Sequence, residues 1–153
     1  MGPMTPDAAA DFARRAHAGQ VDAQGRDYFE AHLVPIAALL RPFGDDATIA
    51  GVLHDVLEDT AVTADELRAL GLSETVVGAV EAVTRRSGEP YEELIERASA
   101  HPLGRLVKLA DNWHNLSSNA ELARHHPEKA ARLRERYVAA RARLTASITA
   151  ATA

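Results

Sequence analysis

IAGVLHDVLEDT, residues 49–60, sets an apolar run from Ile49 to Leu53 directly against a tetrad of His54, Asp55, Glu58 and Asp59. On a helix, positions three and four apart share a face, so His54 is expected to stack with Glu58 and Asp55 with Asp59. One patch then holds an imidazole and three carboxylates. Thr60 to Thr63 reads as the end of this helix, which puts the acids in its last turn, where the helix dipole disfavours negative charge. A bound cation is the obvious compensation for a local rule broken so plainly.

Outward from this stretch the chain reads as helix. Thr5-Pro6 predicts an N-cap with proline at the first helical position, opening a helix to about Gly19. Gln20 to Asp27 is polar and predicts a loop. Leu33, Ile36, Ala37 and Leu40 recur at helical spacing, with Pro35 in the first turn and His32 beside the apolar stripe. Asp45 and Asp46 are expected to cap the helix carrying the tetrad. Thr63 to Glu66 is a capping box, Gly71 a stop, and Ser73 a cap for the valine-rich helix that follows. Gly88-Glu-Pro90 breaks that helix. Tyr91–Ala100, Leu103–Asn115 and a final Arg- and Ala-rich helix over about 127–150 complete the reading, with ITAATA (148–153) expected to fray. The expectation is an all-α single domain of about seven or eight helices over 1–153.

Composition agrees and excludes several classes. The hydrophobic fraction is 46%, much of it alanine and leucine, which favours helix. A net charge of −5 and only 5% aromatics argue against a nucleic-acid binder. The chain has no cysteine, so disulfides and thiolate metal sites are excluded, and a metal would need His, Asp or Glu. No stretch approaches a membrane span and the N-terminus lacks a signal peptide's apolar core, so a cytoplasmic protein is expected. Oligomeric state is not legible.

Further candidates lie outside the tetrad. In Leu103–Asn115 an apolar seam of Leu106, Leu109, Trp113 and Leu116 is expected beside a polar stripe of Lys108, Asp111 and Asn115. Asp111 sits in the apolar context LVKLADNW, where it either pairs with Lys108 or binds a metal. His32 is either a core histidine or a ligand. Of the others, His17 reads as structural, His114 as standing behind the ligands, and His125-His126 as a surface loop before Pro127.

Taken together, AHAGQ (16–20), GRDYFEAH (25–32), GVLHDVLEDT (51–60), EAVTRR (81–86) and LVKLADNWHNL (106–116) give an order of His32, His54-Asp55 and Asp111. This resembles the HD-domain metal-dependent phosphohydrolases, and in particular the hydrolase domain of RelA/SpoT-type enzymes and small stand-alone alarmone hydrolases, over about residues 8–120. The resemblance implies that His32, His54, Asp55 and Asp111 bind one divalent metal, manganese above iron, cobalt or zinc. It implies that Glu58 and Asp59 handle water and protons, and that Tyr28, Lys108, Asn115, Thr84 and Arg85 lie near a nucleotide. The reaction implied is removal of the 3′-diphosphate of (p)ppGpp. Hydrolysis alone is expected, since no synthetase or regulatory domain accompanies the match. The alternatives are a phosphatase of another nucleotide, such as NADPH 2′-phosphate or a nucleoside monophosphate, and a non-catalytic metal- and nucleotide-binding module.

The chain departs from the family pattern where basic residues usually follow GQ, because here the residues are Val21, Asp22 and Ala23. The segment to His32 is longer, its His-Pro has become His-Leu-Val-Pro, and Asn112 and Ser117 replace commonly basic positions. Asp22 is expected to repel a polyanion, with Arg14, Arg15, Arg26, Arg85 and Arg86 as candidates to compensate.

Overall fold

The computed structural model describes residues 2–152, with side chains through 146. Among these residues there is no strand, only an isolated bridge between Val21 and Asp27. The α-helices are α1 (Pro6–Ala16), α2 (Val34–Leu40), α3 (Asp45–Leu53), α4 (Val56–Asp59), α5 (Ala64–Ala69), α6 (Glu74–Val83), α7 (Tyr91–Ala100), α8 (Pro102–His125) and α9 (Pro127–Thr152). No helix among the described residues is long and apolar enough to cross a membrane. The fraying expected at Ile148–Ala153 concerns side chains outside the description.

α3 is the centre. Every residue from Ala47 to Leu53 is buried, as expected for a helix that is apolar all round. α1, α2, α6 and α8 pack around it, and α9 lies along α7 and α8. Gly51 is required by this packing, because a Cβ there would fall 2.4 Å from Leu40 Cδ1 on α2.

Several expected caps and stops are present. Thr5 caps α1, Ser73 caps α6, and the Thr63–Glu66 capping box is reciprocal. Gly71 ends the α5 turn at φ 87°, a conformation only glycine adopts without strain. The differences have local causes. α1 stops at Ala16 rather than near Gly19, with its capping N–H returned by His17. Gly44, at φ 103°, precedes α3, so Asp45 and Asp46 occupy its first turn and make no side-chain cap. α8 continues ten residues past Asn115, which makes His125 its last residue and His126 its C-cap rather than a loop. The seam predicted on α8 is only half-buried, and Trp113 is 52% exposed, because the buried face runs through Val107, Lys108, Asp111 and Asn112 instead.

The most consequential difference is at the tetrad. The expected single helix breaks at His54-Asp55, where Asp55 sits at φ −100° and ψ 0°, and resumes as the one-turn α4. Glu58 and Asp59 therefore lie in a short separate turn, not at the end of a long dipole. The break supplies the extra helix beyond the expected seven or eight.

Candidate metal centre and cleft

Three elements deliver the donors, each by a local irregularity or a buried helix face. His32 lies in a π turn, Phe29–Leu33, joined directly to α2. Pro35 lacks the amide that would close a normal turn onto Ala31, and the chain widens there. His54 and Asp55 occupy the α3–α4 break. Asp111 comes from the middle of α8.

The donor atoms converge. His54 Nε2 is 3.0 Å from Asp55 Oδ2 and 3.5 Å from Asp111 Oδ1. His32 Nε2 is 3.0 Å from Asp111 Oδ1, 3.5 Å from Asp55 Oδ2 and 3.4 Å from His54 Nε2. Donors held at roughly 2.0–2.2 Å from one ion stand about 3.0–3.5 Å apart. His32, His54 and Asp55 therefore fit a single divalent cation, with Asp111 Oδ1 beside both imidazoles, and such a mixed imidazole and carboxylate set suits a borderline first-row metal. His54 Nδ1 lies 2.7 Å from the Gly51 carbonyl, so the proton belongs on Nδ1 and Nε2 faces the cluster.

Electrostatics point the same way. Burial opposes charge on His54, but Asp55 and Asp111 outweigh it and raise the imidazole well above its usual value. Burial also pushes Asp55 and Asp111 upward, yet His54 holds Asp55 near 2, and Lys108, His32 and His54 hold Asp111 far below the carboxylate range. Two largely buried carboxylates thus demand positive charge, which a cation among the donors would supply.

Supporting contacts hold each donor. The Tyr28 hydroxyl donates to Asp55 Oδ2 at 2.5 Å, and burial with the nearby Asp55 charge keeps that phenol protonated. Asp111 makes the expected pair with Lys108, whose Nζ donates to Oδ2 at 2.9 Å; Asn115 donates to Oδ1 at 3.2 Å, and Oδ1 faces His32. His114 lies behind His32, with the two Nδ1 atoms 3.1 Å apart.

Glu58 and Asp59 stand on the solvent side of this cluster. The Arg85 backbone N–H donates to Glu58 Oε1 at 2.7 Å. Gln20 Nε2 donates to Asp59 Oδ2 at 3.0 Å, and Gln20 Oε1 lies 2.6 Å from His17 Nδ1. Desolvation, with Asp55 nearby, raises both carboxyl groups, the direction a proton acceptor near neutrality requires.

His32, Asp55, Asp111 and both acids line one cleft of about 510 Å³, with Tyr28, Arg85, Lys108 and Asn115 in its wall, and His54 is buried behind them. That volume suits a small ligand such as a nucleotide. Thr84 is not part of it. Its hydroxyl donates to the Val80 carbonyl, and it lines a neighbouring cavity with Arg86 and Arg97. Of the compensating arginines, Arg26 and Arg85 reach the cleft. Arg14 is paired with Asp11 and lies over Phe29.

Residue reasoning overlooked Gln20 as the partner of Asp59, and the cleft wall formed by Tyr91, Lys129, Arg136 and Tyr137. The available signals were the His17–Gln20 spacing and the recurrence of 129, 133, 136 and 137 on one helical face.

A family model described as HD domain matches residues 9–102. The chain belongs to the HD-domain family. Curated relatives of this HD domain include a probable guanosine-3′,5′-bis(diphosphate) 3′-pyrophosphohydrolase of Synechocystis, 35% identical over 136 residues, covering 80% of this chain and 17% of the relative. A GTP pyrophosphokinase of Streptomyces coelicolor is 31% identical over 135 residues, covering 81% of this chain and 16% of the relative. The chain thus spans about a sixth of the length of these relatives. The HD domain also shares its fold with a metazoan ortholog of SpoT that hydrolyzes ppGpp and plays a role in starvation responses. The TM-score is 0.72 at 23% identity, over 96% of this chain and 87% of that one. Asp111 and α9 lie beyond the matched residues of the family model.

Proposed function

We propose that this HD domain is a metal-dependent phosphohydrolase that removes the 3′-diphosphate of guanosine tetra- or pentaphosphate in the cytoplasm. The convergence of His32, His54, Asp55 and Asp111 at the base of the cleft lined by Glu58 and Asp59 carries the reading. The names of the similar pyrophosphohydrolase and of the structural neighbour support the substrate class. Manganese is the ion proposed. Such an ion, held by those four residues, supplies Lewis acidity toward a phosphoryl oxygen and acidifies water.

The chain's own residues supply the rest. Glu58, aimed by the Arg85 amide, accepts a proton from the attacking water. The water oxygen bonds to the phosphorus attached to O3′, and the P–O3′ bond breaks with its electron pair leaving on O3′. Asp59, oriented by Gln20, passes a proton to that oxygen. The products are pyrophosphate and guanosine 5′-di- or triphosphate. Tyr28 and Lys108 keep Asp55 and Asp111 in place throughout.

One observation favours a second reading, a phosphatase of a less charged nucleotide such as a 2′-phosphorylated dinucleotide or a nucleoside monophosphate. At the lip of the cleft Arg26 is neutralised by Asp22 at 2.8 Å and Glu121 at 3.2 Å. The test is product analysis of manganese-loaded protein offered guanosine tetraphosphate and these nucleotides in parallel. Pyrophosphate from the tetraphosphate is expected. Phosphate from another nucleotide alone would replace the substrate, and metal binding without any turnover would leave a binding module.

A further inference from the structure

The loop after α1 contributes almost no net positive charge to the cleft, because Arg26 is held by Asp22 and Glu121. Asp22 cannot easily release it. Its Oδ1 accepts the backbone N–H groups of Gln24 and Arg26, both at 2.9 Å, while Oδ2 takes the Arg26 side chain. Asp22 is therefore the staple of its loop, and its charge is already spent on Arg26.

The α9 wall differs. α9 presents Lys129, Leu133, Arg136 and Tyr137 to the cleft, and no carboxylate of α9 lines it among the described residues. These positions follow one helical stripe. Arg136 stacks over the Tyr91 ring at 5.0 Å, and the other cation near that ring is Lys108 at 5.7 Å, which itself holds the ligand Asp111. Tyr91 thus stands between a cation committed to the metal centre and a cation facing open cleft. Lys129 lies two helical turns before Arg136, about 10 Å along the axis.

We propose that Lys129 and Arg136 form a second anion subsite, which binds the phosphate group of the nucleotide that is not cleaved. This rests on the phosphohydrolase reading for the identity of the nucleotide. In that arrangement the four ligands and two acids act at one end of the cleft, and α9 fixes the other end of the substrate. A nucleotide phosphorylated at two positions engages both ends, and a nucleotide phosphorylated only at the scissile position engages one. Positive charge that the loop after α1 lacks is supplied by the last helix.

The test uses the full chain and the reaction product, so that it does not require turnover. Calorimetry measures binding of guanosine 5′-diphosphate and of guanosine to the wild type and to K129A/R136A. The wild type is expected to prefer the diphosphate, and the double variant to lose about tenfold of that preference, as expected for two partly exposed phosphate contacts. Circular dichroism confirms folding, and K129R/R136K, which keeps both charges, is expected to restore most of the preference. An equal preference in wild type and K129A/R136A overturns the subsite. Steady-state kinetics add a second readout: the KM ratio between a 3′-phosphorylated guanosine with and without its 5′-diphosphate should move toward one in the variant. If the wild type hydrolyses nothing but binds the diphosphate through these residues, the phosphohydrolase reading falls and the subsite stands. If it hydrolyses the tetraphosphate with no dependence on α9, the reverse holds.

Discussion

At the residue scale, Glu58 and Asp22 carry the sharpest expectations. Glu58 is held by the Arg85 amide rather than by any of the four proposed ligands. Glu58→Gln should keep the metal and that hydrogen bond while lowering kcat about 10²–10⁴-fold, the usual range for a lost general base. Unchanged kcat would remove Glu58 from the mechanism. From sequence, Asp22 looks like a repulsive charge that an arginine would improve. Its two backbone hydrogen bonds give it a structural role as well. Asp22→Arg should instead loosen the loop, read as faster hydrogen exchange at the Gln24 and Arg26 amides. Unaltered exchange would show that the staple is dispensable. A single sequence cannot reveal this, because an Asx-type turn and a solvated charge use the same residue.

At the scale of elements, the site depends on where helices fail. The α3–α4 break turns His54 and Asp55 toward His32, and the π turn before Pro35 turns His32 toward α8. The helical periods around α1, α2, α6 and α7 were legible because apolar spacing and caps agree there. The break at His54-Asp55 was not, because it is set by tertiary packing and the residues have no breaker among them. The order of motifs pointed to the four residues that the structure brings together, whereas the α9 wall was hidden in an Arg- and Ala-rich helix with little contrast between faces. Gly51→Ala tests the α2–α3 contact. The added methyl meets Leu40, which is buried and has little room to yield. A loss of about 1–3 kcal/mol is expected in urea unfolding. A neutral effect would mean that the two helices separate freely.

For the whole molecule, stability should respond to pH and to metal. Glu89 is buried beside Arg97, whose guanidinium, with the Arg86 amide, holds the Glu89 carboxyl near 2 against an ordinary value of 4.5. A depressed carboxyl stabilises the fold above its unfolded value, so the contribution is full above about pH 5 and fades as pH falls from there toward 2. The stability difference between wild type and Glu89→Gln should therefore shrink in acid, and a difference constant from pH 7 to 3 would argue against the pair. Metal at a hundredfold its Kd should add about 2.7 kcal/mol, or roughly 5–10 °C in Tm for a domain of this size. The most direct test of the metal centre itself is a manganese titration by calorimetry across wild type, Asp55→Ala, Asp111→Ala and Glu58→Gln. One equivalent should bind to the wild type and to Glu58→Gln, and neither aspartate variant should retain it. Full binding after loss of Asp55 or Asp111 would contradict the assignment of the four ligands.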